Sequence, residues 1–188
     1  MINLQSSYSQ NNYGEVFEAI VDAFKPVNVV ELGVLHGYST SYILKALKKN
    51  GRGTIKAYDL FEDYPYNHSR QEDVVNFFEG QPVEFYKKDA FTVYEEFNNN
   101  TVDLLHVDLS NTGETVKKIM EQWDAKMVQG GVILFEGGTQ EGDQVAWRLK
   151  YQAPSIKTEI ETNRIIQDKY IYGTYLKWPG LTMLLKKR

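Results

Sequence analysis

The chain contains no cysteine. That absence excludes disulfides, thiolate metal sites and a cysteine nucleophile together, and it leaves the redox compartment open. Basic charge is not in excess either. Against 25 Asp and Glu stand 21 Lys and Arg, a formal net charge of −4, so there is no electrostatic footprint for a phosphate backbone and no nucleic-acid partner is expected. No apolar run approaches the roughly 18 residues of a membrane span, and residues 1–12 lack the basic-then-apolar order of a signal peptide. A cytoplasmic protein without a membrane partner is the expectation. Internal repeats and linkers are absent too, so the 188 residues are read as one domain, 1–188.

The most informative stretch that is present runs from Val29 to Thr40, Val-Val-Glu-Leu-Gly-Val-Leu-His-Gly-Tyr-Ser-Thr. Val27, Val29, Val30 and Leu32 are nearly uninterrupted aliphatics, the pattern of a strand covered on both faces in a parallel sheet. Gly33 and Gly37 remove side chains where the chain must turn and where another molecule approaches the backbone. Ser39 or Thr40 is suited to cap a helix from about Tyr42 to Lys49, whose free N–H groups face the same crevice. A cofactor is expected over Gly33 to Gly37. The spacing Glu31-x-Gly33-x-x-x-Gly37 is not the G-x-G-x-x-G of dinucleotide sites, which disfavours a nicotinamide-dependent oxidoreductase.

Further along, Glu15 to Phe24 carries a helical apolar stripe closed by Pro26, and Thr54 to Tyr58 reads as a second strand ending at Asp59. Asp59 stands about 20 residues past the glycine turn, where an acidic side chain accepts from ribose hydroxyls. Phe61 to Ser69 is a loop and Arg70 to Glu79 a helix. Val83, Phe85 and Tyr86 form a third strand ending near Asp89, which caps a helix over Phe91 to Phe97 if it has no ligand. Val102 to Val107 is a fourth strand continuing to Asp108, Thr112 to Met127 an amphipathic helix, and Gly130-Gly131 opens a fifth strand over Val132 to Phe135. Glu141 to Lys150 looks helical. Ile156 to Ile166 and Leu181 to Leu185 look strand-like, joined by the aromatic stretch Tyr170 to Trp178. The expected fold is α/β: a doubly wound, mostly parallel, seven-stranded sheet ending in an antiparallel hairpin.

Glu31 to Thr40 resembles the first motif of the class I S-adenosylmethionine-dependent methyltransferases. Asp59 to Pro65, with Leu105-His106-Val107-Asp108 and Gly130 to Glu136, narrows the resemblance to the macrocin O-methyltransferase type, methyltransferase family 24. It implies a Rossmann-like methyltransferase fold and O-methylation of a small hydroxylated molecule or sugar. It further implies that Glu31, Gly33, His36, Gly37, Ser39, Thr40, Asp59, Asp89 and Asp108 hold S-adenosylmethionine, with Asp89 meeting the adenine amino group. In that group the fourth strand ends Asp-x-Asp and the fifth in two adjacent acids, which complete a magnesium site. Here Ser110 and Gly137 stand at the second positions. Asp108 and Glu136 are left as the candidate Mg²⁺ ligands.

A hydroxyl acceptor needs a base to take its proton. Asp108, closing a buried strand, is one candidate, and His68, in a polar loop, is the other. His106 shares the face of Asp108 and is expected to be a packed core residue. A small-molecule acceptor is the expected partner, and the oligomeric state, a homodimer included, is open. The missing second acids also suit a cofactor-binding module of this fold without turnover.

Overall fold

Short apolar strands alternating with amphipathic helices build the molecule, a computed structural model that describes Leu4, Ser6 and residues 13–188. The sequence from Ser6 to Tyr13 reads as a polar lead-in, and it falls largely outside the described residues. The chain divides into two compact units, one ending at Val93 and the other beginning at Tyr94.

In the first unit, α1 (Gly14–Phe24) buries Phe17 and Val21 and ends where Lys25 turns left-handed at φ 49°, donating its N–H back to the Val21 carbonyl. Pro26 then bars continuation. Three strands follow in parallel, β1 (Asn28–Leu32), β2 (Thr54–Asp59) and β3 (Val83–Lys87), with β2 central; Val29 lies opposite Ile55, and Ile55 opposite Val83. Between β1 and β2 runs α2 (Tyr38–Asn50), burying Ile43, Leu44, Ala46 and Leu47 and closed by Gly51 at φ 69°. Its outer face meets α1 through Lys45–Glu18 at 2.8 Å and Lys49–Asp22. A 3₁₀ turn, Phe61–Asp63, and α3 (Gln71–Phe77) connect β2 to β3.

In the second unit four strands lie side by side. The strands β4 (Val102–Val107) and β5 (Met127–Glu136) are parallel, with Leu104 opposite Val132 and Val107 opposite Phe135. Between them α4 (Gly113–Trp123), capped by Thr112, lays Val116, Ile119, Met120 and Trp123 into the core. Full burial of such side chains is worth about 1.5–3 kcal/mol each, so this stripe anchors the helix. Four short helices follow: α5 (Gln140–Asp143), α6 (Ala146–Lys150), α7 (Ile156–Thr162) and α8 (Arg164–Lys169). The antiparallel hairpin β6 (Tyr170–Tyr175) and β7 (Leu181–Lys186) pairs onto β5 through β7. These are the seven strands of the expected mostly parallel α/β sheet with its terminal hairpin.

Four expectations are corrected. Ile156 to Ile166 is two helices rather than a strand, because the Ser155 hydroxyl caps the first and the Asn163 carboxamide the second, and Ile156 and Ile160 share one buried face. The aromatic stretch is itself a strand, β6. The helix expected over Glu141 to Lys150 breaks into α5 and α6 around Gln144 and Val145. The amphipathic helix stops at Trp123 and a 3₁₀ turn, Asp124–Lys126, delivers Met127 into β5, so Gly130 and Gly131 lie inside that strand rather than before it.

Asp124 ties this corner together. Lys169 Nζ lies 2.5 Å from its Oδ2, Tyr170 donates its hydroxyl to Oδ1 at 3.0 Å, and Lys186 Nζ donates to its backbone carbonyl at 2.5 Å.

Candidate functional site

The first unit's candidate residues meet where β1 and β2 end. The turn from Gly33 to Gly37 takes positive φ three times, at Gly33 (89°), Leu35 (51°) and Gly37 (82°). Gly33 N–H goes to the Tyr58 carbonyl at 2.9 Å, and Gly37 N–H closes back on Val34 at 2.8 Å. A Cβ on Gly37 would come within 2.5 Å of the Phe78 ring, so glycine is required there by conformation and by space.

Gly37 itself is the N-cap of α2, with no side-chain cap, and the helix starts at Tyr38 rather than near Tyr42. Ser39 and Thr40 therefore do not cap it. Their hydroxyls sit in the first turn and donate to Glu31, each at 2.5 Å, one to either carboxylate oxygen. Glu31 is fully buried. A buried carboxylate needs such donors, and the positive end of α2 adds to them.

Asp59 is the other organiser. Its Oδ2 accepts the Val34 and Leu35 N–H groups at 2.7 and 3.0 Å; its Oδ1 accepts the Phe61 N–H at 2.7 Å and the Asn67 amide at 2.9 Å. A carboxylate has about four lone-pair sites, and these four donors occupy that capacity. Asp59 thus clamps the glycine turn to the loop after β2, with Phe61 buried behind it at φ 48°. Asn67 extends the chain of bonds by accepting from the Ser69 N–H at 2.9 Å and hydroxyl at 2.7 Å. Sequence reasoning missed Asn67 and Phe78, which no spacing rule marks. On the same loop, the Lys87 ammonium, then the Gln71 N–H, pull the Glu62 carboxyl down to about 2, and Glu62 in turn raises Lys87.

The remaining first-unit candidates are dispersed. His36 is half-buried within the turn, and His68 is exposed in the loop next to Asn67. Asp89 is exposed and accepts the Phe91 N–H at 2.9 Å; a 3₁₀ turn, Val93–Glu96, stands where the helix over Phe91 to Phe97 was expected.

In the second unit, Asp108 and Glu136 follow the opposed pair Val107 and Phe135 at the ends of β4 and β5. Asp108 is half-buried and accepts the Asn111 amide at 3.3 Å. Glu136 is buried, with Oε1 3.7 Å from His106 Nε2, while Oε2 has no hydrogen-bond partner among the described residues. His106 is fully buried, as expected of a core residue. Among the described residues no group of three His, Cys, Asp or Glu is placed to hold a metal ion. The pair nonetheless fits a hard cation as a two-carboxylate site, since Mg²⁺ is often held by one or two protein carboxylates plus water, and the orphaned oxygen of Glu136 is a ligand atom in want of a partner. No helix among the described residues is long and apolar enough to cross a membrane.

A family model described as a methyltransferase domain matches residues 30–137. No curated protein matches the chain. Among solved structures, the chain is similar to the O-methyltransferase of Bacillus cereus in complex with SAH, at 16% identity over 96% of this chain and 84% of that one, with a TM-score of 0.69. It is also similar to the O-methyltransferase TomG of Streptomyces achromogenes, involved in tomaymycin synthesis and solved with SAM, at 13% identity, 93% and 79% coverage and a TM-score of 0.67. A third is the SAH-bound methyltransferase PaMTH1 of Podospora anserina, at 15% identity, 98% and 81% coverage and a TM-score of 0.65. At these identities the likeness shows the fold alone.

Proposed function

Because the chain belongs to the methyltransferase-domain family, we propose that it is an S-adenosylmethionine-dependent O-methyltransferase acting on a small hydroxylated molecule or sugar. The observation that carries this reading is the turn from Gly33 to Gly37, held open in a left-handed course by Asp59 and seated on a helix start that Glu31 buttresses. Such a turn brings backbone, not side chains, to a ligand, and the similar folds of Bacillus cereus and Podospora anserina were solved with SAH. The cofactor supplies a sulfonium methyl group for in-line displacement by the acceptor oxygen.

This chain's part is to align and to deprotonate. In this reading the turn and the first turn of α2 fix the methionine end, with Glu31 acting through Ser39 and Thr40 rather than by direct contact. Asp59 positions the same turn, and Asp89 is assigned to the adenine amino group. Asp108 takes the acceptor hydroxyl's proton, being a half-buried carboxylate just past the end of β4. His68 is the alternative base, and its exposure makes it the weaker one. Asp108 and Glu136 would hold Mg²⁺ if one binds, and the ion would lower the acceptor hydroxyl's pKa.

Calorimetric titration with S-adenosylhomocysteine, followed by transfer of labelled methyl from S-adenosylmethionine to a library of hydroxylated compounds, tests this reading. Absence of binding at millimolar ligand ends it. Binding without any transfer favours the module without turnover, the reading to which Ser110 and Gly137 lend weight because the resembled group carries acids there.

A further inference from the structure

Among the described residues β3 and β6 each pair on one side only, β3 with β2 and β6 with β7. An open strand edge is a template for another chain, and native proteins guard it with charge, proline or a bulge. β3 carries Glu84 and Lys87. β6 has neither charge nor proline from Tyr170 to Tyr175, and its register against β7 is unbroken. It is also apolar on the outside, with Ile171 61% exposed and Leu176, just beyond the strand, 73% exposed.

The ladder with β7 fixes which backbone groups are left over. Lys187 N–H donates to the Lys169 carbonyl at 2.8 Å, so these opposed residues form a hydrogen-bonded pair. The two kinds of pair alternate along an antiparallel ladder. Ile171 and Gly173 therefore aim their N–H and C=O groups at β7, whereas Tyr170, Tyr172 and Thr174 aim theirs at the open side. Tyr170 N–H is used, turning back to the Ile166 carbonyl at the end of α8. The N–H groups of Tyr172 and Thr174 and the carbonyls of all three have no partner among the described residues.

Gly173 is the second observation. It lies outside the glycines at positive φ, and a Cβ on it would meet nothing within 4 Å. The chain's own fold thus has no need of glycine there, and a glycine inside a strand weakens it unless another backbone or ligand comes close.

We propose that β6 pairs antiparallel with β6 of a second copy of this chain, about a dyad at Tyr172. In that register Tyr172 lies opposite itself and Tyr170 opposite Thr174, so the outward groups meet one another. Each Tyr172 N–H reaches the other copy's Tyr172 carbonyl, and each Thr174 N–H the other copy's Tyr170 carbonyl. Ile171 falls opposite Gly173 in a pair of the close type, with Cα atoms about 4.5 Å apart, and its exposed side chain covers the bare glycine. No charge stands between Tyr170 and Leu176 to repel the second copy. Moving the dyad to Gly173 would set Lys169 against Lys177 twice and spend the glycine on itself, which favours Tyr172 as the centre. The pairing consumes the open edge, so assembly stops at two. Tyr172 also lines a cavity of about 440 Å³ beside α5 and α7, and the dyad sets the two copies' cavities side by side.

Sedimentation velocity and amide hydrogen exchange on the full chain test the pairing. At micromolar concentration the wild type should run at twice the 21.7 kDa of one chain. The Tyr172 and Thr174 amides should exchange as slowly as those of Ile171 and Gly173, which β7 protects in either case. Gly173→Val fills the space that Ile171 of the second copy needs, and Ile171→Lys puts a charge on the edge. Each should raise the dissociation constant of the dimer at least tenfold and release the Tyr172 and Thr174 amides, with positions 171 and 173 still slow. A monomer up to millimolar chain, assembly beyond two copies, free exchange at Tyr172 and Thr174 within a dimer, or a dimer that either variant leaves intact overturns the proposal.

Discussion

Asp59 and Val34 are distant in sequence, yet Oδ2 of the first accepts the backbone N–H of the second at 2.7 Å. This bond and its three companions make Asp59 a buttress of the glycine turn. Asp59→Ala should therefore lose S-adenosylhomocysteine binding and also destabilise the fold by about 3 kcal/mol, since hydrogen bonds to a charged group contribute about 1.5–3 kcal/mol and the orphaned N–H groups recover only part from water. Asp59→Asn, keeping one acceptor oxygen, should fall between. Urea unfolding beside calorimetry checks this; unaltered stability with lost binding would reduce Asp59 to a ligand contact.

Gly37 gives a sharper case. Gly37→Ala meets both the left-handed φ of 82° and the Phe78 ring at 2.5 Å. Strain of about 1–2 kcal/mol from the backbone and about 1–3 kcal/mol from overpacking is expected, with weakened cofactor binding. Adding Phe78→Leu should return the packing part only. A double variant as stable as wild type would mean that the turn tolerates another course.

How much of this was readable beforehand follows from the range of the interactions. The strands β1 to β5 announced themselves through local runs such as Val29-Val30-Glu31-Leu32 and Leu104-Leu105-His106-Val107, and β7 through Leu181 to Leu185, whereas its hairpin partner lies at Tyr170–Tyr175 and not at Ile156 to Ile166. The helices α7 and α8 did not, because Ile156, Ile160, Ile165 and Ile166 have strand-like propensity and it is the caps Ser155 and Asn163, with the buried face shared by Ile156 and Ile160, that favour helix. At the site, Glu31, Gly33, Gly37 and Asp59 were marked by type and spacing. Their partners were not: Ser39 and Thr40 looked like caps because a hydroxyl at a helix start serves either use. The Asp59–Asn67 bond depends on a loop conformation that no short-range rule encodes.

Asp124 sets a pH dependence. Burial by itself would raise its pKa, but Lys169, Lys186 and Tyr170 outweigh burial and leave it below the ordinary carboxylate value. Its contribution is present above its unfolded pKa of about 3.9 and is lost as pH falls through the lower folded value. Tyr170 is raised, first by burial and then by the Asp124 charge, so its contribution holds below its unfolded pKa of about 10 and is lost as pH climbs above that toward the folded value. Urea midpoints across pH should form a plateau with two limbs. Asp124→Asn should flatten the acid limb and Tyr170→Phe the alkaline one; an unchanged acid limb in Asp124→Asn would assign acid sensitivity elsewhere.

The base and the metal are separable at Asp108. Asp108→Asn keeps the size of the side chain and the Asn111 neighbour but removes the charge, so S-adenosylhomocysteine should bind as to wild type while turnover falls by about 10²–10⁴, the usual worth of a positioned general base. His68→Ala should cost little by comparison. Magnesium enters through Glu136, whose Oε2 has no partner among the described residues. With only two carboxylates to offer, the site should show a millimolar rather than micromolar Mg²⁺ dependence, because waters must complete the octahedron. Glu136→Gln would then raise the Mg²⁺ concentration needed for half-maximal turnover while leaving the turnover at saturating metal largely intact. Full activity in excess EDTA would remove the ion from the reaction and leave Asp108 as an unassisted base, whereas loss of cofactor binding in Asp108→Asn would show that this carboxylate serves the sulfonium rather than the acceptor.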